Sequence, residues 1–188
     1  MLGRLSTTIV FLTLVGVFVP SACAAPQQSG PLDGESFSLY AYNADYGIGG
    51  SPVFYRGGKA FVRNLNNQTA RSYTNITFSP SPDDGSAYII NPINPAEPIN
   101  GKLKLSLNNS LGAYEQVSFS SNPSSLTSKG FMVWGDELFF IENNVPSTKW
   151  YVTPKPDEAD VYTLRWNSNF VEDGSGQPVA LRTIPPVE

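Results

Sequence analysis

The apolar residues of this chain alternate with polar ones in short runs. In one such run Leu103, Leu105 and Leu107 share one face, while Lys104 and Ser106 lie on the other. An alternation of period two is typical of a half-buried β-strand, and no stretch outside the N-terminus shows an apolar stripe at helical spacing. We therefore predict an all-β fold in a single domain of about twelve short antiparallel strands.

Glycine, asparagine, aspartate and proline separate these runs, as expected of turns between strands. The segment around Gly135 and Asp136 is predicted to form a tight hairpin. Twelve strands can be divided into three units, near 37–80, 86–134 and 137–184. This division slightly favours a β-trefoil over a β-sandwich, although no clear motif recurs between the units.

The N-terminus predicts secretion. Arg4 precedes an apolar run at 7–19, and Ala22 and Ala24 supply the small residues of a cleavage site after residue 24. The run is shorter than the ~20 residues that span a bilayer, so no membrane association is expected after cleavage. We expect a signal peptide at 1–24, a disordered lead-in at 25–35, an all-β domain at 36–184 and a tail at 185–188.

Two residue types that serve most catalytic and metal sites are missing. The chain has no histidine, and its one cysteine, Cys23, is lost with the predicted signal peptide. Serine–histidine triads, cysteine–histidine dyads and ordinary zinc or copper sites are therefore excluded. We predict no cofactor, no metal site and no catalytic residue.

The charge balance is mildly acidic, with 12 basic and 16 acidic residues in scattered positions. Because no basic stripe exists, nucleic acid is not an expected partner. Three glycosylation sequons begin at Asn67, Asn75 and Asn108, and in a eukaryotic secretory pathway they would be surface positions.

Carboxylates are what remains for catalysis. A glycoside hydrolase needs two carboxyl groups roughly 5–9.5 Å apart, and the sequence alone does not show which acids converge. The candidates that we consider are Asp45, Glu115, Asp136, Glu137, Glu142 and Glu172.

Aromatic side chains offer a second kind of site, because an apolar ring with a polar tip suits a sugar-binding surface. Trp134, Phe139 and Trp166 are expected to fill the core. Trp150 is expected at the beginning of a strand near a loop mouth. We name Trp150, Tyr46 and Tyr55 as candidate ligand-binding residues.

Two stretches, 37–62 and 130–154 followed by 164–169, resemble a group of small secreted fungal proteins. More distantly, they are similar to the phialide-associated cell-wall proteins of moulds. The shared plan is an opening F-x-L-x-A strand, a late D-x-L-x-F strand and a following W-x-V strand, here Phe37-Ser-Leu39-Tyr-Ala41, Asp136-Glu-Leu138-Phe-Phe140 and Trp150-Tyr-Val152. The resemblance implies a secreted, wall-associated, non-enzymatic protein.

The leading hypothesis is therefore a secreted glycoprotein, extracellular or in the cell wall. It would bind carbohydrate or serve a structural role without catalysis, with cell-wall polysaccharide as its partner. One alternative is a carboxylate-dependent glycoside hydrolase. Another is a secreted protease inhibitor or elicitor-like interaction protein, for which the proline-rich segment 91–101 could insert into a partner. The oligomeric state is left open.

Overall fold

The structure is a computed structural model that describes residues 34–43, 47–64, 73–93, 99, 101–168 and 176–186. The predicted signal peptide, most of the predicted lead-in, Tyr46 and Asn67 lie outside these residues. Within them there is no helix long and apolar enough to cross a membrane.

The described residues form strands and connections without a helix, which confirms the all-β prediction. Fifteen strands are found in these ranges, against about twelve predicted. In chain order they are β1 (Tyr40–Asn43), β2 (Ile48–Arg56), β3 (Lys59–Arg63), β4 (Thr74–Ser81), β5 (Asp84–Ile93), β6 (Lys104–Ser106), β7 (Tyr114–Gln116), β8 (Ser118–Ser120), β9 (Phe131–Trp134), β10 (Glu137–Glu142), β11 (Val145–Ser147), β12 (Trp150–Pro154), β13 (Val161–Asn167), β14 (Gln177–Pro178) and β15 (Ala180–Arg182).

Six strands close into a barrel. The order is β2-β4-β5-β6-β8-β3, and β3 pairs again with β2. All six strands come from the first two of the three predicted units, and none comes from 137–184. Neither the trefoil nor the sandwich is confirmed by this arrangement.

The remaining strands extend the sheet on either side of the β2–β3 hairpin. β1, β15 and β10 continue outward from β2, and β10 also pairs with β9 and β11. On the other side β13 continues from β3 and pairs with β7 and β12, and β14 pairs with β12. The predicted hairpin at Gly135 is confirmed, since Trp134 pairs with Glu137 across it. Gly135 has a φ of 65°, which its lack of a side chain permits.

One apolar core joins the barrel to the β9–β10 hairpin and the β12–β13 pair. Trp150 and Trp166 lie at its centre, directly opposite each other on β12 and β13, and are fully buried. Their rings meet edge to face with centroids 4.8 Å apart. From the hairpin, Phe131 packs on Trp150 and Phe140 packs on Trp166. The indole N–H of Trp150 donates a 2.9 Å hydrogen bond to the carbonyl oxygen of Leu138, which fixes this ring against β10.

Replacing Trp150 with alanine therefore tests the core. The change removes the largest kind of side chain from a fully buried position and leaves the Leu138 carbonyl without its donor. We expect Trp150→Ala to lower the free energy of unfolding by about 3–5 kcal/mol. Trp134→Ala removes a tryptophan that is 55% exposed and should cost less than about 1 kcal/mol. If urea denaturation shows that the two variants lose the same unfolding free energy, this description of the core is contradicted.

A second, smaller apolar cluster lies outside the barrel. It contains Phe54, Phe61, Tyr73 and Val161. Tyr73 meets both phenylalanine rings edge to face, at centroid distances of 6.5 and 5.3 Å. The hydroxyl group of Tyr73 hydrogen-bonds to Glu158 and so connects this cluster to a network of charged side chains.

Glu158 is the centre of that network. Its carboxylate accepts hydrogen bonds of 2.7 Å from the Tyr73 hydroxyl and 2.7 Å from Arg56, and lies 2.9 Å from the ammonium group of Lys155. The hydrogen bond from Tyr73 is the main cause that lowers the pKa of Glu158 to about 2. Burial opposes this shift, while Lys155 and Arg56 add to it.

This pKa shift predicts a loss of stability in acid. A carboxylate whose pKa is lowered by folding stabilises the folded state above its ordinary pKa of 4.5, and the contribution disappears as the pH falls toward about 2. Glu158→Gln should therefore flatten the dependence of the unfolding free energy on pH between about 4.5 and 2. Asp157→Asn, at a side chain that is 87% exposed, is the control and should leave it nearly unchanged. The same slope in Glu158→Gln and the parent protein would be evidence against the network.

Candidate functional site

The outer face of the extended sheet presents a line of side chains at one register level. Trp134 on β9 lies opposite Glu137 on β10, Glu137 lies opposite Arg182 on β15, Arg182 lies opposite Tyr40 on β1, and Tyr40 lies opposite Pro52 on β2. We call these five residues the cross-strand row. Neighbouring strands are about 4.8 Å apart, so the row spans roughly 19 Å across five strands.

Alternation along the strands explains why these residues face outward. Val133, Leu138 and Leu181 are buried in the core, and each is followed or preceded by a member of the row. Because successive side chains in a strand point to opposite faces, Trp134 and Arg182 lie on the solvent side. The order of strands then brings together residues that are far apart in the sequence.

Trp134 is the exposed aromatic end of the row. Its side chain is 55% exposed, and its ring contacts that of Phe139 at a centroid distance of 6.1 Å. Phe139 is half-buried on the same outer face. The prediction that Trp134 and Phe139 fill the core is therefore wrong, whereas the prediction for Trp166 is confirmed.

Charged groups of opposite sign occupy the middle of the row. Burial raises the pKa of the Glu137 carboxyl group, the guanidinium of Arg182 opposes that rise, and the charge of Asp136 adds to it. A guanidinium nitrogen of Arg182 lies 3.7 Å from an oxygen of Asp136, and the guanidinium also lies over the ring of Tyr42 at 5.7 Å. The row therefore offers hydrogen-bond donors and acceptors, and its positive and negative charges lie side by side so that neither sign dominates.

At its other end the row borders a groove with a volume of about 320 Å³. Tyr40 and Pro52 belong to both the row and the groove. The lining consists mainly of proline, aromatic and branched apolar side chains with two short polar ones. The lining residues are Ser38, Tyr40, Pro52, Val53, Phe54, Asn75, Ile76, Ile93, Pro185 and Pro186.

The C-terminal segment forms one wall of this groove. The Tyr42 hydroxyl donates a 2.8 Å hydrogen bond to the carbonyl oxygen of Ile184, and the backbone amide of Thr183 donates one of 2.8 Å to the backbone carbonyl oxygen of Asp136. Pro185 and Pro186, which fall in the predicted tail at 185–188, line the groove. The sequence alone does not predict this wall, because Ile184 and Pro186 contact Tyr42 and Gly50, which are more than 130 positions away in the chain.

Gly50 allows the segment to approach. It is the extra residue of a β-bulge, since Ala41 pairs with Ser51 and Tyr42 pairs with Gly49. Its φ is 74°, and a Cβ at this position would lie 2.6 Å from Pro186. Only glycine satisfies both the backbone angle and the contact.

Of the predicted ligand-binding residues, none in the described part of the chain lies on the row. Trp150 does begin β12, but its side chain is fully buried. The expectation that Trp150 stands near a loop mouth is corrected, because its ring is buried in the core and cannot reach a ligand at the surface. Tyr55 is half-buried, packs against the core and contacts Phe119 inside the barrel. Tyr46 lies outside the described residues.

The other candidate acids are scattered. Glu142 forms a 2.6 Å ion pair with Lys149, and Glu115 accepts a hydrogen bond from Asn108. Asp45 and Glu172 lie outside the described residues, as does most of the segment 91–101. In the described ranges no three acidic or other metal-binding side chains gather into a group that could hold an ion.

Comparison with known proteins identifies no relative: no family model matches the chain, and neither a curated protein nor a solved structure matches it. The resemblance to the fungal cell-wall proteins therefore stays a prediction. We therefore infer a function from the geometry of the row and the groove.

Gly50→Ala should disturb the groove. The methyl group forces either a strained backbone or a displaced Pro186, and we expect a loss of about 1–3 kcal/mol in the free energy of unfolding. Gly49→Ala is a matched control, since nothing lies within 4 Å of the added carbon. Limited proteolysis should cut the C-terminal segment faster in Gly50→Ala alone. Two variants with the same stability and cleavage rate would refute this role of Gly50.

Proposed function

We propose that this chain is a secreted, cell-wall-associated protein that binds polysaccharide along the cross-strand row without catalysing a reaction. The observation that carries the proposal is the alignment of Trp134, Glu137, Arg182 and Tyr40 at one register level on an exposed sheet face. A line of side chains across several strands suits an extended ligand better than a compact one.

The chemistry of the row supports a neutral, hydroxyl-rich ligand. The ring of Trp134 offers an exposed apolar surface for stacking, as aromatic side chains do at many interfaces. Glu137 can accept hydrogen bonds from hydroxyl groups, and Arg182 can donate them. Because these two charges oppose each other, a strongly charged ligand would gain little.

One observation keeps the hydrolase alternative open. The pKa of Glu137 is raised by burial, which is the usual preparation of a general acid. A hydrolase also needs a second carboxyl group across the bond to be broken. We favour binding because Asp136, the acid next to Glu137, lies on the same hairpin and pairs with Arg182, whereas a hydrolase needs its second carboxyl group across the substrate from the first.

Retention on insoluble chitin, β-glucan and mannan tests the proposal. The parent protein should bind at least one of the three, and Trp134→Ala should weaken that binding about 30-fold, which corresponds to about 2 kcal/mol. The reason is the loss of the exposed tryptophan ring at that end of the row.

Leu111→Ala is the matched control, because Leu111 is 93% exposed and is not in the row. It should bind as the parent does. No retention on any of the three polysaccharides, or equal retention of Trp134→Ala, would contradict the proposal. Release of reducing sugar by the parent protein and its loss in Glu137→Gln would support the hydrolase instead.

A further inference from the structure

We propose that Asn75 carries an N-linked glycan and that its first sugar ring occupies the groove between Tyr40, Pro52 and the C-terminal prolines. The inference rests on the secretory route in the proposed function, because only that route supplies the modification. It does not depend on polysaccharide binding by the row.

Asn75 stands at the edge of the groove. It lies on β4 opposite Phe54, its side chain is exposed, and it contributes to the groove lining. The sequon continues through Ile76 to Thr77. Ile76 is buried in the core, so Asn75 and Thr77 face outward on either side of it. The first sugar ring joined to the Asn75 amide would therefore lie next to the groove.

The groove suits one sugar ring. Its volume of about 320 Å³ lies at the lower end of the range for ligand pockets, roughly 300–1,000 Å³. Pro52, Pro185 and Pro186 supply apolar surface, and the ring of Tyr40 adds aromatic surface. Ser38 offers a hydroxyl group to the polar edge of the ring.

The covalent tether makes a weak contact sufficient. A ligand attached through a short linker has an effective concentration in the millimolar range, so the groove needs only millimolar affinity for the ring. A free sugar of the same affinity would leave the groove mostly empty at ordinary concentrations.

Occupation of the groove limits the row. Tyr40 and Pro52 belong to both, so the glycan covers that end and leaves the end at Trp134 open. An external chain would then contact Trp134, Glu137 and Arg182 only. The glycan thus sets the length of polysaccharide that the protein can bind.

Asn108 provides a comparison within the same chain. Its amide nitrogen donates a 3.0 Å hydrogen bond to Glu115, and its amide oxygen accepts one of 3.0 Å from the backbone of Ser110. It does not line the groove. A glycan there starts outside this groove, so Asn108→Gln is the control for the general effect of losing a sugar chain.

The test uses the full chain secreted from a yeast host. Peptide mass spectrometry should find a glycan at Asn75 in the parent and in Thr77→Ser, which keeps the sequon, and none in Thr77→Ala. After trimming to the first sugar, nuclear Overhauser contacts should join its N-acetyl methyl group to the ring protons of Tyr40. Amide exchange near Pro52 and Pro185 should be about tenfold faster in Thr77→Ala than in Thr77→Ser, and unchanged by Asn108→Gln.

An unmodified Asn75 in the secreted parent protein would overturn the inference. So would a modified Asn75 whose sugar shows no contact with Tyr40 and whose loss leaves exchange unchanged. Retention on polysaccharide is measured separately. Failure of the row to bind would leave the Asn75 result intact, and failure at Asn75 would leave the binding result intact.

Discussion

The contact on which the rest of the structure depends is that between Trp150 and Trp166. These rings meet edge to face across β12 and β13, and Phe131 and Phe140 of the β9–β10 hairpin pack on them. The chain has a single cysteine and so cannot form an internal disulfide, which leaves apolar burial to hold the parts together. Within the described part of the chain the indole N–H of Trp166 meets no hydrogen-bond acceptor, which costs about 1–3 kcal/mol that the burial of apolar surface must exceed.

The cross-strand row is a consequence of that core. Phe131 and Phe140 point inward because the tryptophan pair receives them, and the alternation of the strands then turns Trp134 outward. Pairing of β10 with β15 and of β15 with β1 adds Arg182 and Tyr40 from the two ends of the domain. The surface that could bind a ligand is thus set by the same packing that stabilises the fold. A change in the phase of the β9–β10 hairpin would turn Trp134 and Glu137, its two members of the row, toward the core.

The all-β class and the hairpin at Gly135 could be predicted from the sequence because both depend on local patterns. The sequence could not predict which side chains of the aromatic strands point into the core. In the segment from Phe131 to Trp134 every side chain is large and apolar, so alternation leaves two phases open, and only the register with β10 decides between them. The groove could not be predicted from the sequence either, because its wall at Pro186 contacts Gly50, which lies far away in the chain.

The most direct measurement is collisional quenching of tryptophan fluorescence by acrylamide, with and without soluble oligosaccharides cut from chitin, β-glucan and mannan. The account predicts that one of the three tryptophans is accessible to the quencher, that Trp134→Phe removes this accessible fraction, and that at least one oligosaccharide protects it. Quenching that persists in Trp134→Phe would show that Trp150 or Trp166 reaches solvent. Together with a lack of protection by every oligosaccharide, it would contradict both the core and the site described above.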